Sequence, residues 1–210
     1  MPTKKDVSKH LAPRPTFDDV LRTRAAGITQ PVAVELARWK VHPNTVTLVG
    51  FLLNVVAGAL ALRGWVQAAG VMTLLGSSTD ALDGALARST GQQSRFGAFL
   101  DSTLDRLSEG TVLLGLLWWY SAQGRVPVVM LIGATLLGSV MVSYTRARAE
   151  GVGYACKVGL LTRAPRVVLL GLGMLIPVLL SPILLAMALL TWFTVFQRIG
   201  HVYRSAQREP

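Results

Sequence analysis

Four carboxylates inside an apolar stretch are the residues best suited to chemistry. Asp80 and Asp83 stand three residues apart in DALDGALARSTGQQSRFGAFLDSTLD, and Asp101 and Asp105 stand four apart near its end. Both spacings put a pair on one helical face. A charge at bilayer depth costs roughly 2.5–3.5 kcal/mol on insertion scales, so four of one sign require cations or a wet cavity beside them. Hard oxygen donors of this kind suit Mg2+, or alternatively Mn2+. Arg88 and Arg106 are the basic residues near them in the chain. Two are too few for the aspartates to be purely structural ion pairs. Arg88, two turns beyond Asp80, can neutralise a phosphate or pair with a carboxylate.

The elements that must position these residues are membrane spans. Of 210 residues, 51% are hydrophobic and 15% charged, and the mean hydropathy is +0.47. That balance is too apolar for an ordinary soluble domain and fits one compact polytopic bundle. Apolar runs at about 45–63, 66–87, 97–120, 126–147, 165–180 and 182–200 each approach the ~20 residues needed to cross a bilayer, the last two joined by a turn at Ser181-Pro182. Ahead of them, 16–40 mixes apolar and charged residues around Gly27 and Pro31, as an interfacial helix that is kinked or split would. The predicted fold class is therefore an all-α integral membrane protein with six transmembrane helices preceded by an N-terminal amphipathic interfacial helix. One membrane domain covers 16–204, between tails at 1–15 and 205–210.

The net charge of +10 does not point to nucleic acid, because the basic residues lie between apolar runs, where anionic lipids and phosphate ligands account for them. With both termini on one side, that side carries eighteen of the twenty-one Lys and Arg residues; Arg63 and Arg125 face the other side and Arg106 lies within a span. The positive-inside rule puts both termini and the 88–97 and 146–166 segments in the cytosol of a multi-pass plasma-membrane protein. Trp65 and the Trp118-Trp119-Tyr120 cluster then fall at the outer ends of spans, as an aromatic belt. The polar N-terminus lacks the apolar region of a signal peptide, and a single cysteine, Cys156, excludes an intramolecular disulfide.

This topology brings the four aspartates together near the cytosolic surface, with Gly84, Ala85, Ala87, Gly97 and Ala98 leaving room for a ligand against the backbone. A second feature is Pro43-Asn44-Thr45-Val46-Thr47, where Asn44 and Thr47 mark a helix start. Free N–H groups there serve a nucleotide or phosphate, or simply a cap.

The residues Asp80-x2-Asp83-Gly84-x2-Ala87-Arg88-x8-Gly97-x3-Asp101-x3-Asp105 match every fixed position of the CDP-alcohol phosphotransferase signature. The chain resembles that family over about 16–204. The resemblance implies transfer of a CDP-linked phospho-alcohol group to an acceptor hydroxyl, with release of CMP. It implies two Mg2+ ions, one held by Asp80, Asp83 and Asp101 and one by Asp80, Asp101 and Asp105. Asp105 would be the general base. Asn44, Thr47, Gly84, Arg88 and Ser94 would contact the CDP-alcohol.

Further along, SYTRARAE followed by Arg163-x-x-Arg166 resembles the branch that makes phosphatidylinositol phosphate and its archaeal counterparts. There, residues at the positions of Arg146, Arg163, Arg166 and Arg198 bind the acceptor's phosphate. The expected substrates are CDP-diacylglycerol and inositol 3-phosphate, with glycerol 3-phosphate as the alternative acceptor; serine would leave the arginines without a phosphate. Such enzymes are often homodimers, and Gly133, Gly138 and Ser139 offer a packing face. A cation transporter is the competing class, but it would need ionisable groups continuing to the outer side.

Overall fold

The computed structural model of the protein describes residues 17–208. Among these it is all-helical: α1 Phe17–Arg38, α2 Pro43–Leu62, α3 Val66–Thr90, α4 Arg95–Ala122, α5 Val126–Gly151, α6 Arg163–Leu175 and α7 Pro177–Ala206. Three of them, α2, α5 and α7, are long and apolar enough to cross a membrane. The aspartates interrupt the apolar runs of α3 and α4, and α6, with 13 residues, would rise only about 20 Å. The tails expected at 1–15 and, for its last two residues, at 205–210 lie outside the described residues.

Helix boundaries follow local chemistry. Proline at the first position of α2 has a preset φ and no N–H to leave unpaired. The cap is therefore the residue before it, His42, whose Nδ1 accepts from the Asn44 N–H at 3.1 Å; the helix starts ahead of Asn44, where the sequence placed it. At the end of α3, Gly91 adopts φ 68° and donates its N–H to Ala87 O, a left-handed stop that glycine makes without strain. Ser94 then opens α4, its Oγ accepting from the Gly97 N–H at 2.9 Å. This short reversal sets the two aspartate-bearing helices antiparallel.

Two expectations about breaks are corrected. α1 runs as one helix through Pro31, which removes the split from the expected kink or split. The last two spans divide at Ile176, not at Ser181-Pro182, because Pro177 drives the residue before it out of helical geometry; Ile176 has φ −117° and ψ 89°. Pro182 is absorbed inside α7, where it removes one helical hydrogen bond near the start.

α2 is the wedge of the bundle. It packs along both α3 and α4, which themselves make few direct contacts. Glycines allow this approach: a Cβ on Gly115 would fall 2.3 Å from Gly58 O, and one on Gly76 would fall 2.9 Å from Gly50 O. α6 lies on α3 and α7, and α5 joins α4 to α7, around a core that includes Leu113, Leu116, Ile132, Met174 and Met187. α1 packs on α3, with Ala33 and Leu36 against Ala85 and Leu86. Trp65 and Trp118 are exposed, whereas Trp119 turns inward over Gly64. Ser139 is also buried, and Gly138 lies against Thr191 of the same chain, so of the small residues expected on a dimer face only Gly133 has open space.

A valine at Gly115 is expected to lower stability by about 1–3 kcal/mol or more, since overpacking would part α2 from α4. Thermal unfolding in detergent checks this, and an unchanged midpoint would show that the helices separate freely.

Candidate active site

Asp80 on α3 and Asp101 and Asp105 on α4 face one another across the α3–α4 cleft, each offering a carboxylate oxygen within 4.8 Å of the others. Asp101 and Asp105 share a face because four residues advance a helix only about 40° beyond a full turn. Three residues fall about 60° short of a turn, so Asp83 faces α2 instead. There it is buried and accepts a 2.6 Å hydrogen bond from Thr47 Oγ1. The four aspartates expected to converge are thus a close group of three with a fourth fixed beside it.

The cation nearest these carboxylates comes from far along the chain. Arg163, the first residue of α6, donates from Nη1 to Asp80 Oδ2 and pairs through Nη2 with Asp105 Oδ1 at 2.8 Å. Proximity in the sequence points instead to Arg88 and Arg106. Arg88 is exposed, and its guanidinium lies near Gly84, 3.2 Å from where a Cβ would be. Arg106 donates back to the Ser102 carbonyl. Neither supplies the interhelix pairing that Arg163 makes.

One turn deeper on the same face of α4 is Glu109, which grips Arg166 with both oxygens, at 2.9 and 2.7 Å. Arg166 is 1% exposed, and its Nη1 also donates to Leu161 O at 3.3 Å. Glu109 was missed in the sequence, although its spacing of four from Asp105 continues the carboxylate stripe. Arg198, also buried, donates to Val158 O at 2.9 Å and to Val142 O. Together with Thr194, whose Oγ1 accepts from Leu161 N at 3.3 Å, these two arginines bind the 152–162 segment to the bundle. Arg146 sits on the surface, paired with Glu150 at 2.9 Å. The four arginines expected around one acceptor phosphate therefore have separate partners.

The residues expected at the nucleotide lie at the ends of α2, α3 and α4. A Cβ on Gly97 would fall 3.1 Å from Asn44 Oδ1 and 3.0 Å from Ser94 Oγ, so the first turn of α2 adjoins the cap of α4; Thr47 is committed to Asp83. Three converging carboxylates of two helices fit a hard divalent cation, which favours oxygen ligands and high negative charge.

An all-helical bundle with a carboxylate cluster at a cleft between two helices is the architecture of a helical protein with room for a divalent cation. The chain belongs to the CDP-alcohol phosphatidyltransferase family, whose model matches residues 40–199. It is 36% identical to the archaetidylinositol phosphate synthase of Pyrococcus horikoshii over 85% of this chain and 93% of that protein. It is 39% identical to the phosphatidylinositol phosphate synthase of Mycobacteroides abscessus over 72% of this chain and 70% of that one. The crystal structure of the Mycobacterium tuberculosis phosphatidylinositol phosphate synthase with CDP-DAG bound superposes with a TM-score of 0.79 at 34% identity, covering 85% of this chain and 94% of the other. A second crystal structure of that protein is a complex with manganese and citrate.

Truncating Glu109 to alanine is expected to cost about 3–5 kcal/mol, because it strands a buried guanidinium. The double change Glu109→Leu with Arg166→Met should recover most of that loss. Unfolding of the single and double variants in detergent tests it: equal destabilisation in both would mean that the pair is not what the core depends on.

Proposed function

We propose that this chain is a six-span enzyme that transfers the phosphatidyl group of CDP-diacylglycerol to a hydroxyl of inositol 3-phosphate and releases CMP. The observation that carries the reading is the convergence of Asp80, Asp101 and Asp105 in a chain of this family. α1 would lie at the cytosolic face of the plasma membrane, with both termini and the site facing the cytosol, as the basic residues favour. A homodimer is part of the proposal, with Gly133 the small residue left facing outward from α5.

Asp80, Asp83 and Asp101 would hold one Mg2+, and Asp80, Asp101 and Asp105 a second; Mn2+ is an alternative supported by the manganese complex of the M. tuberculosis relative. When bound, such a pair neutralises the pyrophosphate oxygens and the leaving CMP. The rest falls to the side chains. Asn44, Ser94 and the side-chain-free backbone at Gly84 receive the nucleotide, with Arg88, whose guanidinium lies against Gly84, beside its phosphates. Thr47 holds Asp83 in place through its hydroxyl. The acceptor hydroxyl attacks the phosphorus that carries diacylglycerol, the bond from that phosphorus to the bridging oxygen of CMP breaks, and the hydroxyl proton passes to the Asp105 carboxylate. Arg163 receives the acceptor's phosphate. Arg166, whose charge Glu109 balances, and Arg198 hold the 152–162 segment behind it, while Arg198 and Arg146 add positive charge toward the acceptor.

Purified protein in detergent with Mg2+ and CDP-diacylglycerol is expected to release CMP when inositol 3-phosphate is added. Release with glycerol 3-phosphate alone would keep the transfer chemistry and change the acceptor. No release with inositol 3-phosphate, glycerol 3-phosphate, serine or free inositol would overturn the enzyme reading. Asp105→Asn should cut CMP release by about 10²–10⁴-fold while CDP-diacylglycerol still binds; near-normal turnover would remove Asp105 from the base role.

A further inference from the structure

We propose that Arg163 is a resident counter-cation of the carboxylate cluster, one that a divalent ion displaces, so that loading metal frees Arg163 for the acceptor's phosphate. The inference rests on the metal-dependent transfer reading above. Its basis is a shared set of ligands. Asp80 and Asp105, which Arg163 joins across the cleft, are two of the three residues whose carboxylates converge. A guanidinium and a doubly charged ion bound to the same two carboxylates would repel each other at close range, with little water between them to screen the charges. The Asp105 side chain is only 11% exposed.

How the two arginines of α6 are held shows which one can move. Arg166 uses Nε, Nη1 and Nη2 together, on Glu109 and on Leu161 O. Arg163 is held through its two Nη atoms, and its Nε is buried without a hydrogen-bond partner. A guanidinium offers five N–H donors in a fork that matches phosphate. The carboxylate pose thus leaves part of that capacity unused, and a phosphate monoester can take it up. Arg163 also has a way out. It is the first residue of α6, it follows the non-helical 152–162 segment, and its side chain is 23% exposed. Metal and acceptor phosphate then assist each other: the ion releases the arginine, and the phosphate keeps it from returning to the aspartates.

Mn2+ binding to the full chain in detergent, followed by electron paramagnetic resonance of the free ion with no nucleotide present, tests this. Arg163→Gln is expected to bind Mn2+ tighter than the wild type by about tenfold or more. Inositol 3-phosphate should tighten Mn2+ binding in the wild type and leave Arg163→Gln unaffected. An arginine with only a structural role would instead leave the affinity unchanged or weaken it when replaced. Equal or weaker Mn2+ binding by Arg163→Gln therefore overturns the proposal. If that variant does not fold, Arg163→Lys decides: its single ammonium cannot span both carboxylates as the fork does, so tighter Mn2+ binding supports the exchange, and equal or weaker binding overturns it. A wild type that binds no Mn2+ also overturns the exchange; the transfer reading falls only if the protein releases no CMP with Mg2+ either, which makes the two failures distinguishable.

Discussion

Carboxylates held between apolar helices must be matched by cations, and the bundle is arranged around that requirement. α2 wedges α3 apart from α4 and leaves a cleft in which three aspartates face one another. Without a positive partner such a cluster would be driven apart by repulsion or neutralised by protonation. α6 supplies the partner, with Arg163 reaching back across the cleft. The position of α6 on α3 is thus an electrostatic as well as an apolar contact.

The same requirement is met in two different ways one helical turn apart. Glu109 and Arg166 are both buried and joined by a two-pronged bond, the geometry in which a buried ion pair comes nearest to repaying its desolvation. At Asp80 and Asp105 a single guanidinium serves two carboxylates at the partly open mouth of the cleft. The deeper pair suits a permanent strut; the outer one suits a place where a ligand exchanges. Arg166 and Arg198 also hold the 152–162 segment by its carbonyls, so these buried charges double as anchors for the chain that leads into α6.

Much of the active cleft was legible in one dimension. The i,i+4 spacing of Asp101 and Asp105 and the family signature between Asp80 and Asp105 are local properties, and the structure brings three of those aspartates together. Where the reading of the chain departed from the structure, the cause lay in the next level of detail. Asp83 turns toward Thr47 because three residues do not complete a helical turn. α2 begins ahead of Asn44 because proline selects the residue before it as cap. The last two helices divide at Ile176 because Pro177 and Pro182, alike in sequence, differ in whether the helix breaks at them or runs through.

The sequence by itself determined the helical class and the carboxylates that converge, since residue type and helical period are written along the chain. Only the tertiary structure decided how the arginines are shared out. Arg163 and Arg166 are three residues apart, yet one meets Asp80 and Asp105 and the other meets Glu109. Those partners lie on other helices, 83 and 57 residues away in the two bonds to Asp80 and Glu109. No local rule connects them; the packing of α6 against α3, and of α3 and α4 against α2, does.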